Sequence, residues 1–141
     1  MDLLVFLDTN VFIWGYNRTG SNSDKILELM SKRKISVVVS EKVLDELRKY
    51  FVTYYTKDVY STIFQFVSLT AKIIPRDEVL DEMNNWKNKI KSKDLEQLAV
   101  VKKYGIKYLI SYDKDFEPFG EYVTPKKFIK LLGMTPAKTE Y

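Results

Sequence analysis

Short, unbroken apolar runs alternate along this chain with longer stretches in which apolar residues return every three or four positions. The runs are LLVFL (3–7), ISVVV (35–39), KIIP (72–75), YLIS (108–111) and a last one near EYV (121–123). Runs this short, branched and free of polar alternation read as strands buried on both faces. VFIWGYN after the first run suggests only a short helical turn before a polar loop. Ser23 is the expected cap of DKILELMSKRK, where Ile26, Leu29 and Met30 share a face. Ser40 caps a helix reaching about Thr56, with Val43, Leu47, Tyr50 and Tyr54 at helical spacing, and a further amphipathic stretch covers 57–71. RDEVLDEMNNWKNKI (76–90) predicts one helix, Ser92 or Asp94 opens the next, and Gly105 stands where a left-handed cap would close it. A final helix is expected from about Pro125 to Leu132. Strand and helix in alternation imply an α/β fold with a parallel sheet covered on both faces. Length sets a single domain over residues 1–133, with 134–141 as a loose C-terminal tail.

Composition narrows the chemistry by what it lacks. The chain has 141 residues, 45% hydrophobic and 30% charged, a balance that fits a domain with an ordinary core. It has no Cys, which removes disulfides, zinc ribbons and thiol nucleophiles. It also has no His, which removes an imidazole base, the Ser-His-Asp triad and His-bound zinc. For hydrolysis by such a chain, carboxylates with a hard metal ion are the expectation. Lys and Arg number 23 against 19 Asp and Glu, so the net charge of +4 favours polyanionic partners. No run approaches the roughly 18 to 20 apolar residues of a membrane span, and MDLLVFLDTN lacks the basic flank of a leader. A cytoplasmic protein with no membrane attachment is the expectation.

Ligands of an open parallel sheet bind beyond the carboxyl ends of its strands. Asp8 follows the first strand, and Asp113 and Asp115 follow YLIS. If those strands are neighbours, Asp8 and Asp113 can share one metal ion; a turn or cap aspartate is the alternative for each alone. Within the Ser40 helix, Asp45 points away from the apolar stripe, while Glu46 lies on its margin beside Val43 and Tyr50. That carboxylate needs a metal or a lysine. Asp94 shares a face with Leu98 and Val101 and points inward, although stabilisation of a helix N-terminus explains it equally. Glu96 reads as a surface acid paired with Lys103 or solvent. The segment YFVTYYTKDVYSTIFQF is taken as core plus dimer interface, and Trp14 and Trp86 as packing residues. A phosphatase using an aspartyl nucleophile is disfavoured, because Asn10 stands where its second Asp belongs.

FLDTN, VLDELRKYF, SKDLEQLAV and LISYDKDF, in that order and spacing, resemble the motifs of the PIN-domain family, the nuclease fold of VapC-type toxins. The resemblance covers about residues 3 to 132. It implies a three-layer α/β/α sandwich around a five-stranded parallel sheet. It also implies an acidic cluster of Asp8, Glu46, Asp94 and Asp113, with Asp115 in a more variable fifth position and Asn10 and Ser111 as supports. On this resemblance Asp8, Asp94 and Asp113 hold Mg²⁺ or Mn²⁺, and Glu46 binds a second ion or positions water. The expected activity is hydrolysis of single-stranded RNA by metal-activated water, in a homodimer, with an antitoxin protein as a possible partner. The alternative is a PIN fold that binds RNA or protein without cleaving.

Overall fold

A computed structural model describes residues 3–138. Five strands are seen: β1 (Leu3–Leu7), β2 (Ile35–Ser40), β3 (Ala71–Ile74), β4 (Tyr108–Ile110) and β5 (Tyr122–Val123). They form one sheet in the order β3-β2-β1-β4-β5, and every neighbouring pair is parallel. Parallel neighbours need crossovers, and the intervening helices supply them. These are α1 (Thr9–Asn17), α2 (Asn22–Ser31), α3 (Glu41–Tyr54), α4 (Lys57–Thr70), α5 (Leu80–Trp86), α6 (Ser92–Lys103) and α7 (Pro125–Leu131). Val5, Phe6 and Leu7 are consecutive and fully buried, so helices cover both faces of the central strand. The α/β architecture read from the sequence is therefore the one observed.

The sheet order puts β1 between β2 and β4, and the chain's direction reverses there from stepping left to stepping right. Such a switch leaves a crevice beyond the strand ends. The register pairs Leu7 with Ile110, which sets Asp8 and Ser111 side by side just outside the sheet.

Several local expectations differ from the structure. α1 is a full helix of nine residues rather than a short turn. It packs on α2 at Gly15, where an added Cβ would stand 2.6 Å from Leu27 Cδ1 and 3.1 Å from the Ser23 carbonyl carbon. The cap of α2 is Ser21, whose side chain accepts from the Asp24 N–H. Ser23 is instead buried inside the helix and bonded to Tyr112 Oη at 2.6 Å. The stretch 76–90 divides into a 3₁₀ turn (Arg76–Val79) and α5. Arg76 is held at that turn from two sides, its N–H by Glu41 at 2.9 Å and its guanidinium by Glu96 at 3.1 Å. Glu96 is thus a buried acid, 2% exposed, and not a surface one. It also accepts the Lys42 N–H at 2.8 Å, while Lys103 donates to the Glu78 carbonyl. The cause is that every residue of α6 from Asp94 to Val101 is buried, so a reading that grants a helix only one inward face misplaces Glu96.

The C-terminal residues as far as Lys138 lie along the domain. Asn22 brackets Ala137 with two hydrogen bonds of 2.7 and 3.3 Å, and Lys25 reaches the Thr135 carbonyl. The rest of the tail, 139–141, lies outside the described residues.

Candidate active site

The ends of β1 and β4 are laced together by short polar side chains. Asp8 caps α1, its Oδ1 accepting the Thr9 N–H at 2.8 Å. Its Oδ2 accepts from Ser111 Oγ at 2.7 Å and from Asn10 Nδ2 at 3.4 Å. Asn10 Nδ2 also reaches Ser111 Oγ at 3.2 Å, and Asn10 Oδ1 accepts the Tyr112 N–H. Ser111 Oγ in turn accepts the Asp113 N–H at 2.9 Å, and Asp113 Oδ1 accepts the Asp115 N–H at 2.9 Å. Asn10 and Ser111 are small residues with both donors and acceptors, so each can bond two neighbours at once. The result is a fixed frame in which Asp8 and Asp113 belong to one hydrogen-bonded unit.

The other acids arrive from helices. Asp94 is buried in the first turn of α6. Glu46 is partly buried on α3 and accepts from Thr9 Oγ1 at 2.6 Å, whereas its neighbour Asp45 is exposed. Asp8, Glu46, Asp94 and Asp113 line one open cleft of about 300 Å³, together with Lys93 and Gln97. Asp115 stands beside it: oxygens of Asp94, Asp113 and Asp115 all lie within 4.8 Å of one another.

Burial first, and the crowding of carboxylates after it, shows in their protonation. Burial pushes Asp8 up to about 6, against the hydrogen bonds from Ser111 and Thr9, and the charges of Glu46 and Asp113 push in the same direction. Burial likewise raises Asp94 to about 6, with Lys93 opposing and Asp113 and Asp8 adding to the rise. For Asp113 burial acts upward, but the Lys93 hydrogen bond and the Asp115 N–H outweigh it, and the group lies below the usual carboxylate range. Lys93 is itself raised, chiefly by its hydrogen bond to Asp113.

Sequence spacing did not place two further side chains at this cleft. Lys93 Nζ lies 2.7 Å from Asp113, 3.0 Å from Asp94 and 3.3 Å from Asp115. Gln97, one turn after Asp94, is 1% exposed, and its Oε1 has no hydrogen-bond partner. Trp14 is a packing residue as expected, tilted against Tyr112 at 5.6 Å with the Arg18 guanidinium 4.2 Å over its ring. The aromatic segment does contribute core, through buried Phe51 and partly buried Ile63 and Phe66, but leaves Tyr54 and Phe64 exposed, as is Leu69 just beyond it.

Oxygen donors alone, three of them on carboxylates within reach of one another, are the donor set that a hard divalent cation such as Mg²⁺ or Mn²⁺ takes. Fold and site together define an α/β domain with an acidic cleft at the switch point of its sheet. The chain belongs to the PIN domain family, whose model matches residues 4–115. The solved structures agree with that fold. A toxin-antitoxin complex from Klebsiella pneumoniae superposes with a TM-score of 0.69 at 19% identity, over 86% of this chain and 97% of that one. VapBC-1 from nontypeable Haemophilus influenzae gives 0.65 at 17% identity, over 86% and 98%. The sarcin-ricin loop cleaving toxin VapC20 of Mycobacterium tuberculosis gives 0.64 at 16% identity, over 83% and 95%. No curated protein sequence matches this chain. No helix among the described residues is long and apolar enough to cross a membrane.

Proposed function

We propose that this chain is a metal-dependent endoribonuclease that hydrolyses phosphodiesters of single-stranded RNA. The observation that carries the reading is the convergence of Asp8, Glu46, Asp94 and Asp113 on one cleft in a chain without histidine. Asp94 and Asp113 would hold Mg²⁺ or Mn²⁺, with Asp8 and Asp115 completing the acids around it. A bound divalent ion supplies an acidified water and neutralises charge on the leaving oxygen. The chain's own part is positional. Ser111 and Asn10 fix the Asp8 carboxylate, Thr9 fixes Glu46, and Glu46 orients the attacking water or holds a second ion. The products expected are 5′-phosphate and 3′-hydroxyl ends.

Membership in the PIN family and the likeness to toxins of toxin-antitoxin pairs support a toxin role in the cytoplasm with an antitoxin protein as partner. The exposed Tyr54, Phe64 and Leu69 support a homodimer. Cleavage of a mixed single-stranded RNA pool with Mn²⁺ or Mg²⁺, comparing wild type with Asp8→Asn, tests the reading. Cleavage that needs metal and disappears in the variant is the expected result. A silent wild type that still binds RNA makes the chain a binding module, and a lasting 2′,3′-cyclic phosphate formed without metal overturns the mechanism.

A further inference from the structure

Lys93 occupies an unusual position for a lysine that is half exposed. Its ammonium contacts both oxygens of Asp94, at 3.0 and 3.3 Å, and one oxygen each of Asp113 and Asp115, at 2.7 and 3.3 Å. Those three residues are the ones whose oxygens lie within 4.8 Å of one another. Magnesium binds oxygen at about 2.0 to 2.1 Å, so an ion drawing on these oxygens takes the volume the ammonium fills. The two cations cannot be held there together. Lys91, two residues earlier, differs: it reaches only Asp115, at 3.4 Å.

We propose that Lys93 is a tethered counter-cation of the carboxylate cluster, one that a divalent metal must displace and that then turns to the phosphate of a bound RNA. The proposal rests on the nuclease reading above. In the metal-free protein Lys93 holds Asp94 and Asp113 together against their own repulsion, which keeps the cleft ready for an ion. Its long, flexible stem is anchored in the first turn of α6 at the rim of the cleft, so the displaced ammonium stays close to whatever polyanion the cleft admits. Metal occupancy and phosphate binding are thereby linked through one side chain: the ion frees the lysine that the substrate uses.

Loss of Lys93 has opposite effects on the two ligands, which a purely structural role would not produce. Titration of full-length protein with MnCl₂ in a calorimeter, at constant pH, compares wild type, Lys93→Met and Lys91→Met. Fluorescence anisotropy with a single-stranded RNA in saturating Mg²⁺, on an Asp8→Asn background, gives the second affinity. Lys93→Met is expected to bind Mn²⁺ about tenfold more tightly and RNA several-fold more weakly, with Lys91→Met shifting each by less than about threefold. Failure of either half in Lys93→Met overturns the proposal, and so does an equal response in Lys91→Met, which would be a general charge effect. If wild type takes up no Mn²⁺ or holds no RNA, the nuclease reading itself fails. If it does both, only the role of Lys93 is at stake.

Discussion

Two buried acids on α6, Asp94 and Glu96, face regions with opposite needs. On the Glu96 side the carboxylate meets the Arg76 guanidinium and the Lys42 N–H, and this junction fastens the 3₁₀ turn at Arg76–Val79 to the start of α3. The group has charge and hydrogen bonds enough to be at rest. On the Asp94 side the neighbours are further carboxylates, one lysine shared among them, and a glutamine oxygen with no partner. Burial is the same and composition is nearly the same, so neither marks function. What separates the regions is whether the buried acid has a cation and donors of its own or shares one lysine with two further carboxylates.

Exchange of each acid for a neutral residue should break this comparison cleanly. Asp94→Asn should lower single-turnover cleavage by on the order of 10²- to 10³-fold, while its unfolding midpoint holds or rises because one member of a repelling cluster is gone. Glu96→Ala should do the reverse. It leaves the Lys42 N–H unpaired and a small void, costing about 2 kcal/mol in urea unfolding, with cleavage by the folded fraction within a few-fold of wild type. Little of that loss comes from the Arg76 pair itself, since Arg76 is more than half exposed. A variant in which both substitutions cost stability alike would dissolve the distinction.

Acidity sharpens the same contrast with a smaller effect. Asp8 and Asp94 stand near 6 in the folded chain, against an ordinary 3.8. Between those values the folded state binds more protons than the unfolded one, so the stability these groups lend is complete below about 3.8 and is lost as pH rises through about 6. The metal-free protein should therefore melt at a higher temperature at pH 5 than at pH 7, and the Asp8→Asn, Asp94→Asn double variant should lose that rise. Over the same range Mn²⁺ affinity should fall as pH falls, because protons compete for the same oxygens. Asp113, held low by Lys93, keeps its charge throughout. A melting temperature flat across this range in wild type would contradict the picture.

The strands were legible because doubly buried strands leave unbroken apolar runs: β1 follows its run residue for residue, and β2 extends its own by one. The positions of Asp8 and Asp113 were legible too, since acids directly after strands point to the sheet's carboxyl end; Asn10 and Ser111 beside them came only through the family resemblance. Glu96 was misplaced because helical periodicity describes one buried face, and α6 is enclosed on nearly all sides. Ser21 and Ser23 are both competent caps, and only packing against Tyr112 decides which one enters the helix. Gln97 left no trace, as a glutamine in a helix is ordinary in any sequence, and Lys93 stands in the sequence only as one of many lysines on a basic chain. The meaning of Lys93 comes from the turn after β4, which brings Asp113 to it from 20 residues away.

The hydrogen bond between Ser111 and Asp8 spans 103 positions of sequence. A chain emerging from the ribosome carries Asp8, Glu46 and Asp94 in turn, yet it lacks the strand that gathers them until residues 108–116 have been made. Every nascent form shorter than that is without the Asp113 wall of the cleft. For a protein whose activity would be directed at RNA, this order of manufacture delays the site: its cutting edge cannot come together before β4 and the residues just after it have been made.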